Sequence, residues 1–94
     1  MKQIPGLTAA EANIVINCIP KDLQVKIFGS RVNNRHRQNS DLDICILSQV
    51  SRSQMAEITE AFEESNLPFT VDIISYLDCD AKFRKIIDET GIKL

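Results

Sequence analysis

Ninety-four residues with 44 % apolar and 26 % charged side chains set the scale of one folded domain and exclude disordered, collagen-like and coiled-coil chains. Eleven basic against thirteen acidic side chains leave a net charge of -2, which gives no global attraction to nucleic acid or to an anionic membrane. No apolar run approaches the roughly 18 residues of a membrane span. The three scattered cysteines, Cys18, Cys45 and Cys79, suggest neither a disulfide framework nor a zinc site. A single domain over 1-94 in a reducing cytoplasm is the expectation.

The chain opens with a capping box. Thr8 and Glu11 have T-x-x-E spacing, and Leu7, Ala10, Ile14 and Cys18 recur at helical spacing up to Pro20, which predicts a helix over 8–18. Leu23, Val25 and Ile27 alternate with Gln24 and Lys26, a strand that ends in the turn of Gly29 and Ser30. The polar, basic stretch RVNNRHRQNS follows, without apolar periodicity.

From Asp41 the sequence reads DLDICIL. The run Ile44 to Leu47 is apolar on both faces, as in a central strand covered on both sides. Ser51 and Gln54 offer a second capping box, and Met55, Ile58, Ala61 and Phe62 form the apolar face of a helix over 52–65, stopped by Asn66 and Pro68. FTVDIISY reads as a third strand. A last helix is expected to be capped by Asp78, to carry Phe83, Ile86 and Ile87, and to close at Gly91. This order predicts a small α/β domain with a mixed sheet and helices packed against it.

Side chains alternate across a strand, so Asp41 and Asp43 share one face. Asp72 interrupts the apolar third strand, where a carboxylate is costly unless it is wet, paired or bound to a cation. If the third strand lies beside the second, the three acids meet. Oxygen ligands crowded in this way suit Mg²⁺ shared with substrate phosphates, and two such ions about 4 Å apart can assist an in-line displacement at phosphorus. Asp72 is then the candidate to accept the proton of an attacking hydroxyl. The backbone at Gly29 and the hydroxyl of Ser30 suit phosphate, and Arg31, Arg35 and Arg37 can neutralise its charge. His36, the only histidine, has no acid or cysteine at ligand spacing. A Gly-Ser pair alone is ordinarily a turn, and Asp-x-Asp alone is ordinarily a solvated strand face. Their combination at this spacing arises by composition in on the order of one such chain in a hundred.

With Gly29, Ser30, Asp41, Asp43 and Asp72 in this order, the chain resembles the minimal nucleotidyltransferases (MNT) of the DNA polymerase beta-like superfamily over nearly its whole length. The resemblance implies a polymerase beta-like nucleotidyltransferase fold. It implies Asp41, Asp43 and Asp72 as the magnesium and catalytic residues, and Gly29, Ser30 and Arg31 as nucleotide-binding residues. It also implies AMP transfer from ATP to a hydroxyl, and a helical HEPN-family toxin as partner, whose tyrosine is the acceptor in an antitoxin role. Val32, Asn33 and Asn34 stand where the family often has an Ala-Arg-Gly-like turn; Asn34 tolerates a left-handed backbone better than most residues. Two other functions remain open at this point: an antitoxin that acts by binding alone, and a small α/β interaction domain with a solvated acidic edge.

Overall fold

The computed structural model describes residues 4–29 and 41–94. Ser30, Arg31, Asn34, Arg35, His36 and Arg37 lie outside the described residues. In chain order the elements are α1 (Ala9–Cys18), β1 (Val25–Phe28), β2 (Leu42–Ile46), α2 (Arg52–Glu63), β3 (Val71–Ser75), α3 (Ala81–Thr90) and β4 (Ile92–Lys93). A single 3₁₀ turn, Tyr76–Asp78, joins β3 to α3.

Both capping boxes are made. The Thr8 hydroxyl accepts from the Glu11 amide at 3.1 Å while the Glu11 carboxylate accepts from the Thr8 amide at 2.9 Å. Ser51 and Gln54 repeat the exchange at 3.1 and 3.0 Å. Each box satisfies two amides that a helix start would otherwise leave without partners. The stripe that α1 buries is Ala12 and Val15 and continues to Ile19, whereas Ala10 is exposed. The expected face is thus rotated by part of a turn, because the sheet lies against the side that carries the β-branched Val15.

The four strands lie in the order β3-β2-β1-β4. β1 runs antiparallel to both β2 and β4, and β2 runs parallel to β3, so the sheet is mixed. β2 is paired on both sides, and its Leu42, Ile44, Cys45 and Ile46 are fully buried. That is the physical reason for its apolar run.

Alternation along the strands builds two cores. On one face Val25, Ile27, Leu42, Ile44 and Ile46 pack with Ala12 and Val15 of α1 and with Ile58 and Phe62 of α2. On the other face Phe28 and Cys45 pack with Ile87 of α3, joined by Ile74, Tyr76 and Cys79. Of the described helices, two therefore cover one face and one, of ten residues, covers the other. Among the described residues the second face is only partly roofed.

Three expectations are corrected. α3 is capped by Asp80, whose carboxylate accepts from the Phe83 amide at 2.8 Å, and not by Asp78, which ends the 3₁₀ turn. Of the apolar residues of α3 only Ile87 is buried, while Phe83 and Ile86 reach solvent. β4 is a further strand after Gly91, too short to show alternation.

The start of α3 is buckled to the 3₁₀ turn that follows β3. Arg84 donates from Nε to the Tyr76 carbonyl at 3.0 Å and from Nη2 to the Leu77 carbonyl at 2.9 Å, and its guanidinium lies 5.0 Å from the centre of the Tyr76 ring. The Tyr76 hydroxyl in turn donates to Asp88 at 3.0 Å.

Candidate active site

The site lies on the partly roofed face, where β1 ends and β2 and β3 begin. Cα pairing sets Phe28 opposite Asp43 across the β1–β2 pair and Asp43 opposite Asp72 across the β2–β3 pair. Directly paired residues point to the same face, so Asp72, Asp43 and Phe28 form one row across three strands, about 4.8 Å from strand to strand. The next row inward, Ile74, Cys45 and Lys26, includes two members of the α3 core. The acids thus stand at the open rim of an apolar floor.

Gly29 closes β1 with φ +89, a left-handed conformation that side chains rarely adopt. A Cβ built there would collide with Oδ2 of Asp43. Glycine is therefore required twice, by its backbone and by the carboxylate that fills the space beside it.

Asp43 is half-buried, and Asp41 and Asp72 are exposed. The Asp43 carboxyl is held above the ordinary carboxylate range, first because burial strips water from its charged form, then by the charges of Asp72 and Asp41. Its neighbours thus include two like charges and an apolar wall.

Among the described residues no three His, Cys, Asp or Glu side chains are gathered closely enough to hold a metal ion. Asp43 and Asp72 meet as register partners, and Asp41 acts on Asp43 through its charge. This donor set is all carboxylate, the chemistry a hard divalent cation takes. Mg²⁺ commonly binds one or two protein carboxylates and completes its octahedron with water and substrate phosphates, so two facing acids with a third nearby fit it.

Sequence reasoning did not place Phe28 beside the acids. Alternation placed Val25 and Ile27 on one face, which by parity sends Phe28 to the other. Only the β1–β2 register reveals that this face is shared with Asp43.

Residues 15–94 match the family described as polymerase beta, nucleotidyltransferase. The chain belongs to that family. It is similar to the probable protein adenylyltransferase MntA of Haemophilus influenzae, with 36 % identity over 75 residues, covering 78 % of this chain and 66 % of the relative. The chain thus spans slightly less than two thirds of that relative's length. Its fold is also that of a toxin–antitoxin crystallised with AMP-PNP, at TM-score 0.65 and 22 % identity over 87 % of this chain and 67 % of the other. A tyrosine-to-alanine mutant of the MntA–HpeT toxin–antitoxin gives TM-score 0.64 at 20 % identity, covering 94 % of this chain and 72 % of that one. The mixed sheet with helices packed against it is the nucleotidyltransferase fold expected from the sequence.

Proposed function

We propose that this chain transfers AMP from ATP to a hydroxyl of a partner protein and thereby acts as an antitoxin. Residues 1–94 would act as one minimal catalytic unit in the cytoplasm, with a HEPN-type helical toxin as partner and its tyrosine as acceptor. The observation that carries this reading is the row in which Asp43 faces Asp72 with its carboxylate seated against Gly29. The curated relative, described as a probable protein adenylyltransferase, supports it. No helix among the described residues is long and apolar enough to cross a membrane.

In this reading Asp41, Asp43 and Asp72 hold Mg²⁺, as one ion or two. When bound, the metal neutralises the crowded carboxylates and stabilises negative charge on the phosphate oxygens. A carboxylate oxygen of Asp72 takes the proton of the acceptor hydroxyl. The acceptor oxygen then bonds to the α-phosphorus while the bond from that phosphorus to the bridging oxygen breaks, and pyrophosphate leaves. The amide of Gly29 and the hydroxyl of Ser30 donate to the phosphates, and Arg31 offsets the charge of the leaving group.

A second reading is neutralisation by complex formation alone. One experiment separates the two. The chain and its Asp41→Asn/Asp43→Asn variant are incubated with Mg²⁺, ATP labelled on the α-phosphate, and lysate of the source cells. A labelled protein band that needs the intact acids is the expected result. A bound but unlabelled partner would select the binding-only reading.

A further inference from the structure

The row Asp72, Asp43, Phe28 has a fourth member, contributed by α3. Phe83, in the first turn of that helix, meets Phe28 edge to face with ring centroids 5.7 Å apart and planes at 86°. An aromatic ring that only fills a core is buried, yet Phe83 keeps 38 % of its surface exposed, and Ile86 one turn on keeps 46 %. The turn that presents the ring is held firmly. Asp80 accepts from the amide of Phe83 itself, and Arg84, the next residue, is hydrogen-bonded to the 3₁₀ turn that follows β3.

The order of groups across the face gives this ring a task. Asp72 stands at one end and serves the acceptor hydroxyl, Asp43 stands in the middle, and Phe28 leads directly into Gly29, where the phosphates are assigned. Phe83 lies against Phe28. With the acceptor at Asp72 and the leaving pyrophosphate at Gly29 on opposite sides of the α-phosphorus at Asp43, the nucleoside projects across that line, and on the flank covered by α3 the exposed aromatic ring is that of Phe83. We propose that the exposed ring of Phe83 is the platform on which the base of the nucleotide stacks, with Phe28 as the buried support that fixes its angle. This rests on the nucleotidyl-transfer reading above. Every base has a π-face, so such a platform supplies affinity with little choice between adenine and guanine.

Calorimetric titration with MgATP, MgGTP and magnesium tripolyphosphate tests the assignment on the whole chain. Phe83→Leu keeps an apolar contact with Phe28 and is expected to weaken both nucleotides by roughly 5- to 150-fold, the range for losing one stacked base. Tripolyphosphate binding should stay unchanged, and Phe83→Tyr should bind MgATP like the parent. Unchanged MgATP binding by Phe83→Leu would overturn the platform and leave the transfer reading standing. Equal weakening of ATP and tripolyphosphate would also overturn it, because Phe83 would then act only by holding the fold. Binding of neither ligand by the parent chain would overturn both readings. If Phe83→Leu fails to fold, a nuclear Overhauser contact between adenine and Phe83 ring protons in the parent decides the matter, and its absence with MgATP bound rejects the platform.

Discussion

Gly29 and Asp43 occupy each other's space: the aspartate carboxylate sits where any side chain on the glycine would begin. Gly29 follows the last residue of β1 while Asp43 lies in the neighbouring β2, and β1 can end in this left-handed turn only because nothing projects from the glycine. Gly29→Ala is therefore expected to act on both partners. The backbone conformation alone costs roughly 1–2 kcal/mol for a residue with a Cβ, and the displaced carboxylate adds to that. A drop of at least this size in denaturant unfolding, with loss of AMP transfer, is the expected result. A variant as stable as the parent would show that the turn adopts another conformation.

Asp43→Asn should stabilise the chain at neutral pH when metal is removed with EDTA. The Asp43 carboxyl is raised, so the folded state binds its proton more tightly than the unfolded chain does. Stability then falls as pH rises from the unfolded carboxylate value of about 3.9 through the folded one, and the full cost is present at pH 7. The Asn variant escapes that cost, so its melting advantage should be largest near neutrality and vanish below the unfolded value. A lower Tm for the variant at pH 7 would mean that the carboxylate makes a favourable contact in the folded state.

Cys45 should resist alkylation in the folded protein. Burial, followed by the adjacent Cys79 thiol, pushes its pKa up to about 11, which leaves almost no thiolate at pH 8. Iodoacetamide at that pH is expected to spare Cys45 until denaturant is added, as mass spectrometry of digested protein would show. Rapid native labelling at Cys45 would imply that α3 lifts from the sheet.

Arg84→Ala removes both hydrogen bonds that buckle α3 to the 3₁₀ turn after β3. A loss of about 1–3 kcal/mol is expected, and roughly 4 to 8 °C in Tm for each kcal/mol in a domain of this size. Arg84→Lys should not restore it, because an ammonium does not present the fork that reaches two carbonyls. Full rescue by lysine would reduce the contact to simple charge.

Much of this architecture was legible because it is local. The side chain and backbone of a capping box lie within one turn, so Thr8 with Glu11 and Ser51 with Gln54 announced both helix starts. The doubly apolar run of β2 announced its central place. What could not be read depends on contacts distant in sequence. Asp78 and Asp80 are equally good caps by chemistry, and the choice of Asp80 follows from the 3₁₀ turn and the Arg84 buckle. The row of Asp72, Asp43 and Phe28 depends on the registers of two strand pairs, which side-chain alternation limits to a face but does not fix in offset. β4 is held by hydrogen bonding to β1, and two residues carry no pattern of their own.

The parallel pairing of β2 with β3 also has a consequence in time. Asp43 and Asp72 are separated in the chain by the whole of α2, and they meet only once that helix has carried the chain back to start a second strand in the same direction. No local hairpin can bring them together early. During synthesis the acids therefore remain apart until β3 has emerged and docked, so a nascent chain long enough to contain its Gly29 turn and both β2-side acids still lacks the facing pair of carboxylates.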